Sequence, residues 1–172
     1  MAKRTARTTL GGGRRGISTA GWALRGAAAG AAGTTALNVV TYLDMAVRGR
    51  PTSSTPGDSV EKLAEKAHVS IPGRGESRAN RVQGLGALLG LAAGVGMGVL
   101  TGLARASGVR PSPVAGTALT TAAVLLAANG PMTVLGITDP RTWSAADWIS
   151  DIAPHLAYGV VVQTTMDAFD RR

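Results

Sequence analysis

The stretch Gly84–Ala104 reads GLGALLGLAAGVGMGVLTGLA, 21 residues without a charge and with seven glycines. Five of these, Gly86, Gly90, Gly94, Gly98 and Gly102, recur at every fourth position. In water a glycine inside a helix costs about 1 kcal/mol relative to alanine, and the run lacks the polar face of a soluble amphipathic helix. In a bilayer the balance changes. Lipid tails are as apolar as leucine, so helices pair through close van der Waals contact, and small residues four apart let two backbones meet. The row covers about 24 Å, most of the hydrocarbon core. Four residues advance the helix by about 400°, so the row drifts by about 40° per step. A partner following it is expected to cross right-handedly, near about −40°, using Gly90, Gly94 and Gly98 most heavily.

Three further blocks share this apolar character. GAAAGAAGTTALNVVTYL fills Gly26–Leu43, an uncharged run covers Pro113–Ile137, and Trp148–Met166 forms the last, with Asp151 and His155 inside it. A spanning helix needs about 20 mostly apolar residues. The expected fold is therefore all-α, a bundle of four transmembrane helices over 23–46, 82–105, 113–137 and 144–168. Gly26 and Gly30, continued by Thr34, make the natural mate for the glycine row. The pairing serves either packing within one chain or a homo-oligomer or membrane-protein partner.

Composition narrows the remaining classes. The chain has 172 residues, a net charge of +8, no cysteine and six aromatic residues. Disulfides, thiolate metal sites and cysteine catalysis are excluded. Fifteen of the 18 basic residues are arginine, but they avoid the apolar blocks and no aromatics interleave with them. That pattern fits a lipid bilayer and not a nucleic acid. Residues 1–22 read as a basic cytoplasmic tail. Arg14-Arg15 resembles a twin-arginine signal, yet Ala27-Ala28-Ala29 opens the apolar block instead of following it, so no cleavage site is expected. With the N-terminus inside, ten basic residues lie on the cytoplasmic side against eight outside, which leans towards that orientation.

The loop 47–81 is expected to hold a short amphipathic helix opened by Asp58-Ser59-Val60-Glu61 and stopped by Pro72. Val60, Leu63, Ala64 and Ala67 would share one face, with Glu61, Lys62, Glu65 and Lys66 towards water. His68 is expected to be solvated.

The polar residues of GITDPRTWSAADWISDIAPHLAYG, from Gly136 to Gly159, carry the chemistry. Ser144 and Asp147 fit a capping box. Trp143 and Trp148 suit the headgroup level. Asp147, Asp151 and His155 recur every four residues, and Pro154 between the last two removes a helical amide. Ionisable groups at depth face a bundle or a water-filled cavity. Two readings stay open. Asp151 and His155 pin the helix as a hydrogen-bonded pair with Asp147 as a solvated cap, or all three belong to a proton- or cation-responsive site. Asn38, Tyr42 and Asp44 of the first block and Asn129 of the third are candidate contributors. Asn129-Gly130-Pro131 is expected to break or kink the third helix. One histidine with carboxylates from a single helix is too sparse a set for a metal. No cofactor motif, phosphate loop or hydrolase signature occurs, so no enzyme is expected.

The phrase GTTALNVVTYLDMAVRGRPTSSTP, Gly33–Pro56, resembles a family of uncharacterised small integral membrane proteins of high-GC actinobacteria. The Gly136–Gly159 segment is more distantly similar to the last helix of the YagU-like inner-membrane family, where a Gly-x-Thr-x-Pro turn precedes a helix bearing tryptophan, acid and histidine. The resemblance implies a multi-pass membrane protein of unassigned mechanism, and YagU-like proteins carry a loose association with acid tolerance; the long first loop departs from their pattern. The expected function is a non-enzymatic structural or accessory membrane protein packing through its glycine ridge. The alternative is a small transporter, channel or proton-responsive protein using Asp151 and His155.

Overall fold

The computed structural model describes residues 17–171. Those residues are helical throughout, with no strand among them. The helices are α1 (Thr19–Arg48), α2 (Thr55–Lys66), α3 (Gly75–Ala106), α4 (Pro113–Val134) and α5 (Ala145–Asp170), with a 3-10 turn at Pro140–Thr142. The expected basic tail falls mostly outside the described residues. Its last residues already belong to α1, because the Ser18 hydroxyl accepts from the Gly21 amide and caps the helix there.

Local chemistry sets each boundary. Gly49, at φ 62°, closes α1 in the left-handed conformation that glycine takes without strain. Residues 75–81, expected to be loop, are the first two turns of α3. Arg78 and Arg81 there find partners in the Glu61 carboxylate and the Pro72 carbonyl, which makes a polar start to the helix tolerable. Ser112 caps α4, with Pro113 at its first turn. The expected break at Asn129-Gly130-Pro131 does not occur: α4 continues through Pro131 and ends at Val134, short of Ile137. Gly136, at φ 71°, and the Ile137 amide bonded to the Met132 carbonyl close it. A proline this near a C-terminus removes only one bond of the last turns. Ser144 and Asp147 form the reciprocal capping box that opens α5.

The long helices pack antiparallel. α1 lies between α3 and α5, α4 packs on the other flank of α5, and α3 and α4 touch little. The core is small: Trp22, Ala29, Val124, Tyr158, Val162 and Met166, with Leu37, Met97 and Phe169 against it. α2 lies on the start of α3 through Pro56, which sits against Gly86, and Gly57, which sits against Val82. The apolar face expected on α2 is not what docks, for Leu63 is half exposed while Ser59 is buried with its hydroxyl on the Thr55 carbonyl. Proline, glycine and serine at the start of α2 allow a closer approach than the bulkier Val60 and Leu63.

Two helices, α3 and α4, are long and apolar enough to cross a membrane. In each, only 17% of the apolar window is buried. α1 and α5 have the length, at 30 and 26 residues, but fall short in apolarity. Alanine and glycine dilute the first, and Asp147, Asp151 and His155 the second. The four expected apolar spans thus reduce to two by length and composition.

Candidate functional site

The centre of the molecule is the α1–α3 crossing. A Cβ on Gly26 would strike the Gly98 carbonyl, and one on Gly98 would come within 2.5 Å of the Gly30 Cα. Gly30 faces Gly94 and Gly98, Gly94 faces the Thr34 hydroxyl, and Gly102 faces the Trp22 carbonyl. Side-chain-free surface on both helices is therefore what permits the contact. Gly90, expected near the centre, has open space beside it, and Gly86 meets α2 instead of α1. The drift of the row explains this. Two helices stay together for about three steps before the stripe turns away, and here those steps are Gly94, Gly98 and Gly102. The same drift carries the α1 row off the interface. Gly26, Gly30 and Thr34 face α3, while Asn38 and Tyr42, further along, are exposed and make no shared cluster.

Tyr158 locks the crossing. It is wholly buried, its ring fills the space left by Gly33, and its hydroxyl donates to the Gly94 carbonyl at 2.6 Å. One side chain of α5 thereby holds both α1 and α3. α4 meets α5 in the same style, with Gly116 under Gln163 and Gly159 under Thr121.

At the end where α1 finishes, α4 and α5 bring three predicted residues together. Asn129 Nδ2 donates to Asp151 Oδ2 at 2.7 Å, and His155 Nδ1 lies 2.6 Å from the Asp151 carbonyl and 3.5 Å from Asp151 Oδ1. A carbonyl only accepts, so Nδ1 carries a hydrogen in that contact. The His155 and Asp151 side chains are 12% and 19% exposed, which keeps them within reach of solvent. Asp44 is not part of this group. It is bound by Arg50 and Arg48 and, at 3.4 Å, by the Ser150 hydroxyl. Asp147 gives its carboxylate to the Ser144 amide and hydroxyl as a helix cap. Among the described residues no three histidine, cysteine or acidic side chains converge as a metal would require.

Beyond the helices the charges are paired locally. The Arg141 side chain and amide hold the Asp139 carboxyl below the ordinary carboxylate range. The Lys62 ammonium does the same for Glu65. A polar cleft of about 560 Å³ separates α2 from the Leu135–Ile137 turn, and of its three acids Glu61 and Glu65 pair with Arg78 and Lys62.

The opposite end holds a cluster that sequence reasoning missed. Arg105 is almost fully buried and binds Asp167 at 2.8 Å and Asp170 at 3.2 Å. Gln163 donates to Asp167, and Arg110 reaches Asp170. The guanidinium carbons of Arg25 and Arg110 lie 5.3 and 5.7 Å from the centre of the Trp22 ring. The signal was the pair of acids that end the last block, four and seven residues after Gln163.

No protein-family model, curated protein or solved structure matches the chain.

Proposed function

We propose that the chain is a four-span integral membrane protein with a non-enzymatic structural or accessory role, built on the glycine crossing of α1 and α3. The observation that carries this reading is the surface of the helices. Leu85, Leu88, Leu91 and Leu100 on α3 and Val114, Leu119 and Leu126 on α4 are exposed. In water each would forgo about 1.5–3 kcal/mol of burial, and exposed patches of this extent mark a partner or a membrane. The two less apolar helices follow by geometry. α1 and α5 are about 45 and 39 Å long. α1 packs along α3, and α5 along α4, so they share the depth of their partners. Their ionisable groups cluster towards the two ends, where water and headgroups reach. Three helix reversals return the C-terminus to the N-terminal side, which the basic tail favours as cytoplasmic.

The test is fractionation followed by labelling. The protein should stay with membranes after an alkaline wash. Single cysteines placed at Ser54 and Ser144 should react with an impermeant reagent in intact cells, and one at Ser107 should not. Recovery in the soluble fraction, or labelling at Ser107 alone, would overturn the fold or its orientation.

A second reading is favoured by one observation, the convergence of Asn129, Asp151 and His155. A carboxylate and an imidazole one turn apart on α5, tied to α4 through Asn129, can respond to protonation. Proton or ion flux into vesicles that disappears in Asp151→Asn and His155→Gln would establish this role, and unchanged flux would remove it.

A further inference from the structure

On the membrane reading above, charged side chains gather at the N-terminal end of the bundle. Arg105 and Arg110 take up Asp167 and Asp170 between them. Arg25 has no carboxylate among the described residues. Its guanidinium is stacked 5.3 Å from the Trp22 ring and 5.5 Å from the Phe169 ring, and Nη1 is buried without a hydrogen-bond partner. The residue as a whole is only partly buried. A half-buried cation without a counter-ion is costly, and aromatic faces return only part of that cost. Among the described residues no carboxylate pairs with Arg25.

Three features define which anion. A guanidinium fork matches phosphate geometry. Arg110, half exposed, presents a second guanidinium at the same indole, 5.7 Å from its centre. Trp22, itself buried, stands at the edge of the first apolar block, which on the membrane reading sets the two guanidinium groups near the headgroup level. A groove of about 240 Å³ then runs between α3 and α4, where these helices fail to pack. Arg105, Val109 and Pro111 line its end, and Leu100 and Leu119 line its apolar wall. We propose that Arg25 and Arg110 bind the phosphate of an anionic phospholipid, and that one acyl chain of this lipid fills the α3–α4 groove. The lipid supplies the missing counter-charge and covers the seam that the bundle leaves open.

The experiment uses the full chain in an uncharged detergent, titrated with phosphatidylglycerol or phosphatidylcholine, with bound lipid read by native mass spectrometry. Phosphatidylglycerol should be retained in preference, and Arg25→Gln and Arg110→Gln should each reduce its retention about fivefold. Arg50→Gln, at the other end of the bundle, should leave it unchanged. Arg110 is the more exposed of the pair, so its variant keeps the test open where Arg25→Gln fails to fold. Equal retention of both lipids, or a preference that survives Arg110→Gln, would overturn the proposal. Displacement of the lipid by millimolar inorganic phosphate would assign the site to free phosphate and overturn the lipid. A wild-type protein that leaves the cell without detergent sinks the membrane reading itself; a detergent-requiring protein without lipid preference sinks only this inference.

Discussion

Replacing Gly98 by alanine tests the helix crossing most directly. The added Cβ would lie 2.5 Å from the Gly30 Cα and 2.6 Å from its amide nitrogen, with the Gly26 carbonyl closer still. Carbon atoms in ordinary contact sit about 3.5–4.0 Å apart, so α1 must withdraw by about 1 Å. The obstacle is backbone on the other helix, and no rotamer change relieves it. A gap of that size forfeits about a quarter to a half of each atom pair's attraction. Over some tens of pairs at about 0.15 kcal/mol each, the loss is about 2 kcal/mol. Strain on the Tyr158–Gly94 hydrogen bond adds up to about 1 kcal/mol. Gly90→Ala is the control, since nothing lies within 4 Å of that site. Both variants receive the same gain in helix propensity, so their difference isolates the contact, at about 2–3 kcal/mol in disfavour of Gly98→Ala. Gly98→Leu should abolish the crossing. Reversible unfolding in mixed micelles, followed by tryptophan fluorescence, reads the difference. Alanine variants that unfold within about 0.5 kcal/mol of each other would refute the reasoning, because the overpacking cost it requires is larger.

Three other outcomes follow from the charges. Arg105→Met leaves Asp167 and Asp170 facing each other without their shared cation, and should cost about 3 kcal/mol of stability; adding Asp167→Asn should return part of it, read as the thermal midpoint in detergent. Asp151→Asn keeps an oxygen for Asn129, so stability should change by less than about 1 kcal/mol. Under the structural reading vesicle flux is then unchanged, and a lost flux would transfer the site to the proton-responsive reading. Asp139 has a depressed carboxyl in the folded protein through Arg141. Its contribution is therefore present above the ordinary carboxyl range and is lost as pH falls below about 4. Trp143, whose indole donates to Thr138 in the same turn, reports this in a chain stripped of its other tryptophans; a transition near neutral pH would contradict it.

The glycine contact is legible in the sequence because its cause is local. Spacing of four on an uncharged helix says that a backbone will approach, and Gly26, Gly30 and Thr34 repeat the pattern on another helix. What spacing alone leaves open is the register. Whether Gly90 or Gly102 joins Gly94 and Gly98 depends on where α1 is placed by its other neighbour, and that neighbour is α5, through Tyr158 in the gap at Gly33. A lone tyrosine in an apolar block carries no mark of such a role. Asn38 and Tyr42 continue the row of Gly26, and the drift of about 40° per step that displaces Gly90 carries them off the interface too. The Arg105 cluster eluded the sequence for a different reason. Arg105 and Arg110 end one helix and begin the next connection, so they read as flanking charges that orient a membrane protein, and their acids lie about 60 residues away. Only the antiparallel return of α5 brings Asp167 and Asp170 beside them. By consuming both carboxylates, that return also leaves Arg25 without a carboxylate among the described residues, and so the end that reads as a topogenic signal is also the end proposed to take a lipid phosphate.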